Sequence, residues 1–223
     1  TGPQLLLQAC RRAIADAGLK TTDIDGVIVP RIGTNVRPFE FGFYLHCPLR
    51  YVAYCGMEAG AGAVNSIEMA AQALADGKAK YVLIFTGANQ KSDAKNSNPG
   101  KFHMDDPYKR NLEIPFGFYP QPVYFASMTR RYMNIYGDVT EQMGRIAVNS
   151  RRNACLNDNA QMKKPMTLDD YYNYPVLYDP VRLVDCCLVT DGACAFVVTT
   201  EERAKDLPVK PVMVRGIATA GID

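Results

Sequence analysis

The spacing of apolar positions switches several times along the chain between the helical and the strand period. From Gln4 to Ala17 the residues Leu5, Leu6, Leu7, Ala9, Ala13, Ile14 and Ala17 recur at helical spacing. Gly18 follows where a left-handed residue closes a helix, so the segment is predicted to be a helix with one buried face. Ile24 to Pro30 centres on Val27-Ile28-Val29, a β-branched run that favours a strand. A helix feeding a buried strand is the signature of an α/β fold. Next comes an irregular stretch rich in aromatics, Phe39 to Tyr44, and then a short strand from Tyr51 to Cys55. Ala59 to Ala75 is predicted to be a helix that opens on the small residues Gly60, Ala61, Gly62 and Ala63, which implies that something passes very close to its start.

Tyr81-Val82-Leu83-Ile84-Phe85 is a continuous apolar run of strand length, as expected for a strand covered on both faces, and it ends in Thr86-Gly87. Gln90 to Pro115 is polar and aperiodic and reads as a long excursion away from the sheet. Two amphipathic helices are predicted over Val123 to Tyr136 and Thr140 to Cys155, separated by Gly137. A shorter third starts at Thr167 as N-cap, with Asp169 and Asp170 in its first turn. Val181 to Asp191 leads into a returning strand over Ala193 to Thr199, followed by a short helix over Glu201 to Lys205 and a further strand over Val209 to Ile217. This organisation divides into 1–89, an inserted 90–181 and a return over 182–223.

Composition narrows the classes. With 223 residues, 48% of them hydrophobic, the chain can bury a substantial core. Lys and Arg number 25 against 23 Asp and Glu, and a net charge of +2 gives no argument for a nucleic-acid partner. No apolar run approaches the roughly 20 residues of a membrane-spanning helix, and Thr1-Gly2-Pro3 does not begin a signal peptide, so a cytoplasmic location without a membrane span is expected. A start at Thr1 rather than Met suggests a segment of a longer protein. Of the seven cysteines, Cys186 and Cys187 are adjacent and the rest are scattered without CxxC spacing, which points to reduced thiols and to no metal site.

Three ordered matches carry a resemblance. Asn65-Ser66-Ile67-Glu68-Met69-Ala70-Ala71-Gln72-Ala73-Leu74-Ala75-Asp76-Gly77 resembles the buried central helix of thiolases. Tyr136-Gly137, Glu141-Gln142 and Ala147 to Ala154 resemble the pattern of the thiolase loop domain. Asp185-Cys186-Cys187-Leu188-Val189-Thr190-Asp191-Gly192-Ala193 is similar to the turn before the last strand of the amino-terminal half, with the double cysteine of the sterol-carrier and lipid-transfer branch. The resemblance implies a thiolase-like fold of five α/β/α/β/α layers, represented here mainly by the amino-terminal half with its helical loop domain. It also implies a dimer that handles acyl-CoA thioesters, with coenzyme A arriving as part of the substrate and no tightly bound cofactor.

Thiolases work through a cysteine thiolate at the start of the central helix, where the helix dipole lowers the thiol pKa. Counting back from Met69 and Gly77, that position is Gly60, and a glycine cannot form an acyl-enzyme. Backbone amides at Gly60 and Ala61 can still approach a thioester oxygen; close packing of helix on sheet is the other reading of the same small residues. Cys55, just upstream, is a nucleophile only if the chain shifts locally, and a buried core residue otherwise. Branch members without the cysteine include aldolases that cleave a steroid side chain from a β-hydroxyacyl-CoA, a reaction that needs no covalent intermediate, with a small OB-fold protein as usual partner. By the same resemblance Ser150, Arg151 and Arg152 lie near the CoA nucleotide, and Cys187 near the pantetheine arm. The alternatives are a solvated helix face for the first three and a core cysteine for the fourth.

Tyr119, Tyr124, Tyr171, Tyr172, Tyr174 and Tyr178 are abundant where a pocket wall or an interface is expected, and none is singled out as a catalyst. His46 and His103 match no motif. The aromatics of Phe39 to Tyr44, Phe116 to Tyr119 and Tyr124 to Phe125 either wall a bulky apolar substrate or cover a dimer interface. The function expected is retro-aldol cleavage of a β-hydroxyacyl-CoA within lipid or steroid degradation. The alternatives are a non-catalytic lipid-transfer or acyl-CoA-binding subunit and an acyltransferase with an unrecognised nucleophile.

Overall fold

The structure is a computed structural model that describes residues 1–30, 37–56, 59–93, 107–118 and 121–218, the side chains of 59, 60 and 93 excepted. His103 and Tyr119 lie outside the described residues. The chain divides into two compact units, Thr1–Lys95 with Thr190–Asp223, and Asn96–Val189.

The first unit is built on a four-stranded sheet of order β2-β1-β3-β6. Its strands are β1 (Gly26–Pro30), β2 (Tyr51–Cys55), β3 (Val82–Asn89) and β6 (Asp191–Val198), with β4 and β5 in the other unit. β1 runs parallel to β2 and β3, and β6 is antiparallel to β3. The strand pattern predicts why both faces are covered. Val27, Val29, Leu83 and Phe85 point into one core beside Leu6, Cys10 and Ile14 of α1 (Gly2–Asp16), and beside Phe41 and Leu45 of α2 (Pro38–Leu45). The alternate residues Ile28, Val82 and Ile84 point into a second core beside Ala70 and Leu74 of α3 (Ala59–Ala75). Each large aliphatic side chain buried in this way stabilises by about 1.5–3 kcal/mol before entropy is counted.

Helix ends follow the predicted chemistry. Gly18 takes φ +70°, and the amides of Gly18 and Leu19 donate to the carbonyls of Ala15 and Ile14, a Schellman closure of α1. Three expectations are corrected. The aromatic stretch forms helix α2, with Phe41 stacked on Phe85 at 4.7 Å and Phe39 and Phe43 outside. β3 continues beyond Gly87 to Asn89 because β6 pairs with it over its whole length. Residues 209–217 are irregular: no strand pairs with them among the described residues, and Val212 is 94% exposed.

The second unit holds helices α5 (Gln121–Tyr136), α6 (Thr140–Cys155) and α7 (Leu168–Asn173) and the small antiparallel pair β4 (Val176–Tyr178) and β5 (Val181–Arg182). A Cβ at Gly144 would stand 2.6 Å from Leu168 and 2.8 Å from the Tyr171 ring, so a glycine is what lets α6 and α7 approach. The first unit also holds the short helices α4 (Gln90–Asp93) and α8 (Glu201–Ala204).

Candidate active site

β1 and β2 end together, with Pro30 opposite Cys55, and α3 begins shortly after β2. The start of α3 therefore lies at the carboxyl edge of the parallel strands, where ligands bind in open α/β sheets. Gly60 is the second residue of α3. The small residues that follow divide into two roles. Gly62, Ser66, Ala70 and Ala73 form a buried line toward the sheet, and the Ser66 hydroxyl donates to the Gly62 carbonyl at 2.7 Å. Close packing accounts for these four. Ala61 faces outward and is exposed.

Cys55 is 2% exposed and belongs to the core formed by Ile28, Ala70, Leu74, Val82 and Ile84. Its thiol sits inside the hydrophobic layer under α3.

The α3 side of the sheet continues past the start of the helix. Val82 and Ile84 of β3 and Phe196 and Val198 of β6 pack beneath α3. By the strand period of two, Thr86 and Ala88 and their partners Cys194 and Gly192 extend the same face. There they border a cleft of about 430 Å³, which Gln90 and Thr190 also line. Sequence reasoning did not single out this cleft, because the paired strands that line it are far apart in the chain.

Asp191, at the start of β6, fixes one end of the cleft. Its carboxylate accepts from the Ser92 hydroxyl and from the Ser92 amide (3.0 Å), tying α4 to β6. The Ser92 hydroxyl, and then its amide, hold the Asp191 carboxyl below the usual carboxylate range.

In the second unit, Ser150, Arg151 and Arg152 lie in the last turns of α6. Arg151 donates to the Lys164 carbonyl at 3.0 Å, and Arg152 donates to the Asn149 side-chain oxygen at 2.8 Å. Each guanidinium carries five N–H groups, so both keep donor capacity. Cys187 is exposed in an irregular segment, which rules out the alternative of a buried core cysteine. The Tyr171 phenol is buried and donates to Asp185 at 3.2 Å. Burial, reinforced by the Asp185 charge, pushes its pKa up to about 12. Asp185 also accepts from the Arg182 amide (2.7 Å), and the Arg182 guanidinium donates to the carbonyls of Tyr172 (3.0 Å) and Tyr174 (2.7 Å). This cluster locks the end of α7 onto β5, and nothing in the sequence announces it.

His46 takes φ +57° and closes α2, a structural role. Among the described residues no group of His, Cys, Asp and Glu is arranged to hold a metal ion, and no helix is long and apolar enough to cross a membrane.

Comparison with known proteins adds chemistry to this geometry. No model of a known protein family matches the chain. A steroid side-chain-cleaving aldolase of Thermomonospora curvata is 34% identical over 226 residues, covering 96% of this chain and 56% of the relative. A 17-hydroxy-3-oxo-4-pregnene-20-carboxyl-CoA lyase of Mycobacterium tuberculosis is 30% identical over 226 residues, covering 96% of this chain and 57% of the relative. Among solved structures, an Ltp2-ChsH2(DUF35) aldolase superposes with a TM-score of 0.81 at 33% identity, over 93% of this chain and 53% of that one. The chain thus spans about half the length of the curated relatives it matches.

Proposed function

The chain belongs to the thiolase superfamily, in its sterol-carrier and lipid-transfer branch, and from that premise we propose that it serves the retro-aldol cleavage of a β-hydroxyacyl-CoA. The observation that carries the reading is the start of α3. The helix that bears the family's nucleophile opens here on Ala59-Gly60-Ala61 and contains no cysteine. Cys55 is packed in the core, and the exposed Cys194 belongs to β6 and not to the helix, so α3 supplies no thiol of its own for an acyl-enzyme. Retro-aldol cleavage does not need one. A base takes the β-hydroxyl proton, the Cα–Cβ bond breaks as a carbonyl forms at Cβ, and the electron pair passes into the thioester enolate. Protonation at Cα then releases the shorter acyl-CoA. Electrons balance without a redox cofactor, and coenzyme A enters only as part of the substrate.

In this reading the amides of Gly60 and Ala61 stabilise the enolate oxygen, since N–H groups in the first turn of a helix have no partner within the helix. Arg151 and Arg152, with Ser150, hold the CoA phosphates, and Cys187 lies along the pantetheine arm. The first unit corresponds to the thiolase amino-terminal domain and the second to its inserted loop domain. Names of the relatives support a steroid-derived acyl group, and the two-component name of the structural relative supports a partner subunit, which we take to be a small OB-fold protein. A cytoplasmic enzyme acting as a homodimer completes the reading. The edge of β2, which pairs only with β1 among the described residues, and the outward aromatics of α2 supply the surface for the dimer.

The test is mass spectrometry of the full-length protein, with and without the partner, after incubation with β-hydroxyacyl-CoA and β-ketoacyl-CoA pools. The expected result is release of a ketone or aldehyde and a shorter acyl-CoA with no acyl adduct on any cysteine. An acylated cysteine would restore thiolase chemistry, and bound but unchanged thioester would make the protein a carrier.

A further inference from the structure

We propose that the cleft between the ends of β3 and β6 receives the acyl body of the thioester and that Gly192 sets how bulky that body can be; this rests on the CoA-thioester reading above. Two glycines line the same strand pair for opposite reasons. At Gly87 a Cβ would stand 2.5 Å from the Ala193 Cβ and 2.7 Å from the Gly192 carbonyl, so packing between the strands requires glycine there. At Gly192 a Cβ would meet nothing within 4 Å. Gly192 is exposed, and its φ lies outside the left-handed region that favours glycine.

A glycine inside a strand weakens the strand and marks a place where a ligand or another backbone comes close. Here no backbone does so among the described residues, while the cleft of about 430 Å³ lies directly on it. That volume falls within the range of roughly 300–1,000 Å³ for pockets that hold small organic ligands. The lining from the two strands, Thr86, Gly87, Ala88, Gly192, Ala193 and Cys194, presents only short side chains, and Gln90 lies beside it. A flat floor without projecting side chains suits a rigid, ring-bearing acyl group. Asp191, anchored by Ser92, keeps the floor in register at that end. A side chain at position 192 would project into the space the ring system occupies and leave the strand pairing intact.

Calorimetric titration of the full-length protein and its Gly192→Ala and Gly192→Val variants with acetyl-CoA and 2-naphthoyl-CoA tests this. The ratio of naphthoyl to acetyl affinity is expected to fall in graded steps, by about tenfold or more for valine, with the thermal midpoint unchanged. An unchanged ratio in both variants overturns the assignment of the cleft and leaves the CoA reading standing. Unfolding of the alanine variant also overturns it, because the fold would then need the glycine. Failure of the unsubstituted protein to bind either thioester overturns the CoA reading, and this inference with it.

Discussion

Asp25 ties the beginnings of three strands together with one side chain and one peptide group. Its carboxylate, 7% exposed, accepts from the amides of Lys80 (2.7 Å) and Tyr81 (3.0 Å), and its carbonyl accepts from the amides of Arg50 (2.7 Å) and Tyr51 (3.0 Å). Replacing Asp25 by alanine leaves two amides at the head of β3 without their acceptor and is expected to cost about 1–3 kcal/mol in urea unfolding. Asp25→Asn keeps an acceptor oxygen and is expected to recover most of the loss; equal loss in both variants would mean that the charge itself holds the strands. The sequence does not announce Asp25, because its partners lie far along the chain. That Gly60 falls in the first turn of α3 was legible, since counting within one helix is local. The burial of Cys55 was legible only as one of two readings, and the neighbours that decide it come from three other elements.

At the scale of elements, local signals carry furthest where a cap and a period agree. Thr167 and Asp170 form a reciprocal box at the start of α7: the Asp170 amide donates to the Thr167 hydroxyl at 3.1 Å, and the Thr167 amide donates to the Asp170 carboxylate at 2.8 Å. The Thr167 amide, and then the Thr167 hydroxyl donating to the same carboxylate at 2.8 Å, hold the Asp170 carboxyl below the usual carboxylate range. Thr167→Ala is expected to destabilise the fold by about 1 kcal/mol, read as a lower urea midpoint. An unchanged midpoint would show that α7 is held by Tyr171 and Gly144 alone. The same kind of signal made α1, α3, α5 and α6 readable. α2 was not readable, because Phe39, Phe41, Phe43 and Tyr44 leave no polar face to define a helical stripe, and only contact with β3 selects Phe41 as the buried one. Residues 209–217 failed in the opposite way: a β-rich composition makes a strand only when another strand offers a ladder.

For the whole molecule, the sheet leaves β2 as an edge, with β1 as its one neighbour among the described residues. Val52 and Tyr54 lie opposite Val27 and Val29, so they share the α2 side of the sheet, and they are 40% and 52% exposed. Phe39, Phe43 and Tyr44 of α2 are exposed as well. An uncovered edge beside such apolar surface invites pairing with another chain. If the proposed homodimer forms through this edge, the double variant Val52→Lys, Tyr54→Lys is expected to convert it to monomer in sedimentation velocity while far-ultraviolet circular dichroism is preserved. A dimer that survives would place the interface elsewhere. By itself the sequence determined the α/β class, the long helices and the superfamily, since each is written in residues close together in the chain. Only the tertiary structure decided the order β2-β1-β3-β6, the reversal of β6, the burial of Cys55, and which glycine serves packing and which opens a cleft. Those depend on segments that meet only after the chain has folded back on itself, and no local pattern records which partner a strand will find.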